Sequence, residues 1–242
     1  MPTRVFPVPL VPIVIVGLSV LSVACAGGSP SAPSSTPTPT SALASRLEAE
    51  LARSGLPALA AVVVHAEGVA AVEAVGVRRL GAPERVQAGS LFHLGSNTKA
   101  MTAALAARLV EQGRLGWESR LVDVLPELAP VALPAYRETT VEQLLAHRSG
   151  LPAFTATEEF DGAPAPSGTP SDQRAAFAAW LLTQPPATEA GGFLYSNAGY
   201  ALAGHLVERL LGTSWENALG EQLGQPLGFR PGFGWPVLAA PS

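Results

Sequence analysis

Fifteen basic residues occur in this 242-residue chain, and Lys99 alone among them is a lysine; the others are arginine. Lys99 stands three residues after Ser96, within "SLFHLGSNTKAMTAALAARLVEQG", residues 90–113. A serine hydroxyl becomes a nucleophile when a neighbouring base takes its proton, and a lysine serves if desolvation brings its pKa toward neutrality. Arginine stays protonated and cannot do this. The one position written as lysine is therefore suited to losing a proton. Ser-x-x-Lys alone is a weak pattern, and a lone helical lysine is ordinarily a solvated charge. Here, however, the following residues are rich in alanine and carry no further charge until Arg108.

The spacing of Leu105 and Leu109, with alanines at 100, 103, 104, 106 and 107, predicts a tightly buried helix over 97–112. Gly95 lets the chain turn into it. Ser96 then lies at the helix N-terminus, where backbone amides and the positive end of the dipole stabilise an oxyanion. Lys99, at i+3, projects on the same face. Two other stretches offer polar groups next to helices. "TTVEQLLAHRSGLP" (139–152) reads as a capped helix ending at His147, and Tyr195-Ser196-Asn197 immediately precedes a helix over 198–211. His147 and Ser149 are only two residues apart and no third, orienting acid is identifiable, so they do not make a Ser–His pair. His65, His93 and His205 stand in apolar contexts without ligand spacing, which predicts no metal site. The absence of Gly-x-Ser-x-Gly excludes the α/β-hydrolase nucleophile elbow.

The elements that must position these residues follow from periodicity. Leu43, Leu47 and Leu51 define a helix over 42–54. The β-branched run Leu59–His65, the turn Ala66-Glu67-Gly68 and the alternating run Val69–Val77 form a hairpin. Helices are predicted over 97–112, 141–147, 172–184, 198–211 and 214–223, with capping boxes at Thr140/Gln143 and Thr213/Glu216. A strand pair followed by a helical block, without βαβ alternation, is an α+β arrangement. Composition agrees with a core-rich globular domain: 48% hydrophobic, 14% charged. A net charge of −4, with no Lys/Arg cluster, excludes a nucleic-acid-binding footprint.

Residues 1–26 read as an export signal: Arg4, an apolar run over Val5–Val23, then small residues. Two cleavages compete. Ala24-Cys25-Ala26 suits ordinary release after Ala26, whereas Leu21-Ser22-Val23-Ala24-Cys25 resembles a lipobox, with the usual leucine displaced by one, in which Cys25 is lipidated. Cys25 is the only cysteine, so no internal disulfide forms. The Ser/Thr/Pro-rich segment 27–41 is expected to be an extended tether, and residues 42–242 the domain.

"FHLGSNTKAMTAA", "LLAHRSGLP", "YSNAGY" and "QPLGFRPGFG", in this order and spacing, resemble the serine β-lactamase and penicillin-binding-protein superfamily. The likeness is to its class C branch, with D-Ala-D-Ala carboxypeptidases and related esterases, and covers Leu43 to Gly234. It implies a β-lactamase/transpeptidase-like fold, an antiparallel sheet packed with helices plus an all-helical region. It further implies an acyl-serine intermediate on a β-lactam, D-Ala-D-Ala peptide or small ester, without cofactor or metal. Ser96 is the implied nucleophile, and Lys99 helps to deprotonate it. Tyr195 is the implied proton relay, or else a core aromatic at a helix entry. Asn197 is the implied donor to the acyl side of the substrate, and also a candidate N-cap for the helix from Ala198. The "HxSGL" element around His147 is implied to be structural, closing a helix beside the site. The partners implied are a small-molecule or peptidoglycan-peptide substrate and, through a lipid anchor only, the membrane of the cell envelope.

One motif of that family is missing. Neither Lys-Thr-Gly nor His-x-Gly follows Asn197. The domain over 42–242 is accordingly expected to lack its C-terminal part, with an incomplete sheet. The alternative to a hydrolase is then an inactive remnant or a surface-tethered binding protein.

Overall fold

The computed structural model describes residues 41–234; the export signal, Cys25 and the tether up to residue 40 lie outside them. The chain divides into two compact units, meeting in sequence between His93 and Leu94.

The first unit holds a helix and a hairpin. α1 (Ala42–Ser54) starts where the Ser41 hydroxyl accepts from the Ala44 amide and ends at Gly55, whose left-handed φ of +67° stops the helix. β1 (Ala58–His65) pairs antiparallel with β2 (Gly68–Gly76), from Ala58 opposite Gly76 to His65 opposite Gly68. A bulge between Val63 and Val64 shifts the register. Gly76 is required where it stands: at φ +100°, a Cβ there would lie 2.2 Å from the Pro57 carbonyl oxygen. β1 and β2 make the only sheet among the described residues, and Val64 and Val69 on them are exposed.

The second unit is helical: α2 (Thr98–Glu111), α3 (Leu121–Val124), α4 (Val141–Leu145), α5 (Pro170–Leu181), α6 (Asn197–Leu211), α7 (Trp215–Leu219) and α8 (Gln225–Leu227). The helix expected over 214–223 is α7 running into a π-helical segment, Gly220–Gly224. The Thr140/Gln143 capping box starts α4 as expected. At α7, Ser214 rather than Thr213 is the N-cap, accepting from the Asn217 amide, and Glu216 pairs with Arg174 instead. Thr169 and Asp172 make a further reciprocal cap at α5, ahead of Pro170 at its first position.

The sequence points to α2 as the tightly buried helix, but α6 occupies the centre. Nine α6 residues are buried, including Leu202, Leu206 and Val207, whereas α2 buries one face through Thr102, Leu105, Ala106 and Leu109. Ala100 and Ala107 of α2 are exposed. Small α6 residues allow the neighbours in. A Cβ on Gly199 would meet the Leu144 side chain of α4 at 3.4 Å, and one on Gly204 the Arg174 side chain of α5 at 3.4 Å. Glu208, near the end of α6, ties α5 and α7 to it. Its Oε1 accepts from Ser171 Oγ at 2.6 Å, Arg174 Nη2 at 2.7 Å and the Trp215 amide at 2.9 Å. With a buried α6 clamped from both sides, the segment that enters it has a fixed exit point. That segment carries Tyr195.

Candidate active site

Ser96 lies in a 3-10 turn, Gly95–Asn97, that runs directly into α2, with Gly95 at φ +52° supplying the bend. Ser96 is exposed, in the first turn of the combined helix. Lys99 follows one turn later and donates from Nζ to Ser96 Oγ at 3.2 Å, so the i+3 spacing does place both on one face. A second donation from Nζ, to Asn197 Oδ1 at 2.7 Å, fixes the ammonium. The ammonium also lies 4.7 Å from the centroid of the Tyr195 ring.

Tyr195 comes from the extended segment before α6, and its hydroxyl lies 2.6 Å from Ser96 Oγ. Burial alone raises the phenol pKa. Hydrogen bonding with Lys99 and Ser96 and the ammonium charge outweigh it, so the phenol titrates below its ordinary value. A proton can therefore pass between two oxygens 2.6 Å apart, with a cation in place to stabilise a phenolate. All four residues expected at the site, Ser96, Lys99, Tyr195 and Asn197, meet here, although 99 residues separate Ser96 from Tyr195.

The roles at the mouth of α6 differ from expectation in one respect. Ser196, not Asn197, is the N-cap: its hydroxyl accepts from the Gly199 amide at 2.9 Å and donates to the Pro152 carbonyl at 2.6 Å. Asn197, released from capping, turns Oδ1 to Lys99 and donates from Nδ2 to the Phe154 carbonyl at 2.8 Å. One Nδ2 hydrogen remains beyond that bond for an incoming group.

Residues that no periodicity singled out hold this frame. Phe154 adopts φ +51°, and Glu159 secures the turn by accepting from the amides of Phe154 (2.9 Å), Thr155 (2.6 Å) and Ala156 (2.8 Å). The Ala156 and Thr155 amides hold the Glu159 carboxyl below the usual carboxylate range. The Phe154 ring packs edge-on against Phe160, Phe177 and Trp180. The only hint in the sequence was an acid a few residues beyond the Pro152 turn. The backbone amides it collects cannot be read from side-chain types. Ser149 is buried, and its hydroxyl accepts from the Leu151 amide.

Comparison with known proteins gives the family and the fold. The profile described as Beta-lactamase matches residues 43–241. Penicillin-binding protein 4 of Amycolatopsis lactamdurans is 34% identical over 175 residues, 71% of this chain and 43% of that protein. The octameric penicillin-binding protein homologue from Pyrococcus abyssi superposes with a TM-score of 0.63 at 28% identity, over 77% of this chain and 42% of that one. The class C beta-lactamase from Rhodobacter sphaeroides gives 0.62 at 26% identity, over 76% and 48%. The chain thus spans less than half the length of these relatives. With the profile match over most of the chain and an α+β fold shared with penicillin-binding proteins and class C enzymes, the chain belongs to the beta-lactamase family.

Proposed function

We propose that the chain carries the acylation machinery of a serine hydrolase. The observation that carries this reading is Ser96 Oγ, held 2.6 Å from the Tyr195 hydroxyl and 3.2 Å from Lys99 Nζ on an exposed turn. Ser96 Oγ attacks the substrate's carbonyl carbon while its proton passes to the Tyr195 phenolate that the Lys99 ammonium stabilises, or to Lys99 in the fraction that carries a neutral amine. The oxyanion that forms lies at the first turn of α2, toward its positive end. Collapse breaks the bond to the leaving nitrogen or oxygen, which takes the proton back through Tyr195. Water then hydrolyses the acyl-Ser96 ester by the same relay in reverse. Asn197 holds the Lys99 ammonium with its oxygen and offers its second amide hydrogen to the acyl side of the substrate.

The substrate class is a β-lactam, a D-Ala-D-Ala peptide or a small ester. A penicillin-binding protein and a class C beta-lactamase among the relatives support the first two. We also propose that the chain is exported and held at the envelope through Cys25, supported by the apolar leader and the Ser/Thr/Pro tether after it.

Labelling with a fluorescent penicillin and, separately, an activated fluorophosphonate, followed by peptide mapping, tests the reading. The adduct should fall on Ser96 and disappear in Ser96→Ala. Labelling at Ser149, or equal labelling of Ser96→Ala, would overturn the assignment. No adduct with either reagent would favour a non-catalytic binding module instead.

A further inference from the structure

One side chain packed against the reacting groups has no part in the steps above. His147 follows α4 at φ +60°, a left-handed backbone in which histidine, asparagine and aspartate are enriched among residues with a Cβ. From there it touches three consecutive residues. Its carbonyl accepts from the Leu194 amide at 2.9 Å, and its Nδ1 accepts from the Ser196 amide at 3.0 Å. Its ring lies against the Tyr195 ring, with centroids 4.5 Å apart and planes tilted by 36°. The two amides it binds flank Tyr195 in the chain. One residue therefore holds the Tyr195 backbone on either side and also backs the phenol. Phe193 and Tyr200 enclose the imidazole, and the Tyr200 hydroxyl is anchored on the Leu145 carbonyl at 3.0 Å.

The chemistry of this position is narrow. An aliphatic or benzyl side chain could fill the space between the aromatic rings but would leave the Ser196 amide, on a residue 2% exposed, without its acceptor. Lysine or arginine has no acceptor to offer. With Nδ1 accepting, the imidazole is neutral and carries its proton on Nε2. We infer that His147 is a positioning residue for Tyr195, whose neutral imidazole sets the phenol's reach to Ser96 and whose protonation on Nδ1 releases it. This inference rests on the acyl-serine reading above.

Protonation would place an N–H on Nδ1 facing the N–H of Ser196, so the grip on that amide fails. It would also add a second cation near Lys99. The ionisable groups facing the ring are the phenols of Tyr195 and Tyr200 and the Lys99 ammonium. Burial first, and then Lys99, hold the imidazole below its ordinary value. The neutral, gripping form therefore persists at and above neutral pH and is lost only on the acid side.

The test compares the whole chain with His147→Asn and His147→Leu, reading the second-order rate of Ser96 labelling by the fluorophosphonate against pH. Asparagine accepts the left-handed backbone, presents an amide oxygen close to where Nδ1 stood, and does not titrate. His147→Asn should recover most of the neutral-pH rate and lose the part of the acid limb that His147 contributes, keeping only the part set by Lys99 and Tyr195. His147→Leu should label about 10²-fold more slowly, the loss typical of a misplacement of roughly 1 Å. Phenolate absorbance, taken as a difference against Tyr195→Phe, should show Tyr195 titrating higher in His147→Leu than in the parent. If His147→Leu does not fold, the His147→Asn profile decides. An acid limb unchanged in His147→Asn, or parental labelling by folded His147→Leu, would overturn the inference and leave the acyl-serine reading standing. A parent chain unlabelled at Ser96 would instead remove that reading, and this inference with it.

Discussion

Replacing Lys99 with arginine separates the two services a lysine can render at Ser96, taking a proton or supplying charge. Nζ is held by Asn197 Oδ1 at 2.7 Å and Ser96 Oγ at 3.2 Å, and lies 4.7 Å from the Tyr195 ring centroid. A guanidinium can keep the cation over that ring and donate to either oxygen, but it has no proton to give up at any accessible pH. General-base participation is worth about 10²–10⁴ in rate, or roughly 2.7–5.4 kcal/mol of barrier at 1.36 kcal/mol per decade. If Lys99 is the base, Lys99→Arg and Lys99→Gln should both lose this amount and approach Ser96→Ala. If Lys99 supplies only charge, Lys99→Gln should fall while Lys99→Arg stays within about tenfold of the parent, because Tyr195 beside a cation then acts as the base. The assay is the initial rate of Ser96 labelling by a fluorescent penicillin or fluorophosphonate, with circular dichroism to verify folding. A Lys99→Arg rate near the parent's refutes a proton-accepting lysine and transfers that role to Tyr195.

Glu208→Gln should lower the melting temperature of the helical unit, because it removes the charge from a carboxylate 6% exposed that pairs with Arg174. Breaking a buried pair costs about 3–5 kcal/mol, and roughly 2–3 here because Arg174 is one-fifth exposed and keeps Glu216 at 2.8 Å. At about 2–4 °C per kcal/mol, that is a fall of roughly 4–12 °C by scanning calorimetry. Burial raises the Glu208 carboxyl, but Arg174, Ser171 and the Trp215 amide together hold it below the ordinary glutamate value. The stabilisation is therefore present above that ordinary value and lost as pH falls through the folded one. Glu208→Gln should flatten this acid limb, and an unchanged melting temperature at neutral pH would contradict the clamp. In a bacterial host, the chain should be recovered with membranes and take up labelled palmitate, and Cys25→Ser should abolish the label; a soluble, unlabelled product starting at Gly27 would show ordinary release.

What the sequence by itself determined about this protein is what short-range physics controls. The i+3 pairing of Ser96 with Lys99 is a property of one helical turn, and so was legible without any fold. The same holds for α1, the β1–β2 hairpin and the Thr140/Gln143 box, in which each residue's partner lies within a few positions. Likeness to a family supplied Tyr195 and Asn197, which composition and spacing alone left open between chemistry, core packing and capping. Only the tertiary structure shows where each side chain lies and what it bonds to. It placed Tyr195 on a serine 99 residues away, gave the cap to Ser196 and so released Asn197 to hold Lys99. It also showed that α6, not α2, is the buried centre, because the glycines of α6 let α4 and α5 come close. The left-handed backbones at His147 and Phe154 are likewise not legible in the sequence. His147 is held by amides 194 and 196, and Phe154 by the Asn197 side chain as well as by nearby Glu159, and no local propensity encodes the part of a conformation that distant hydrogen bonds impose.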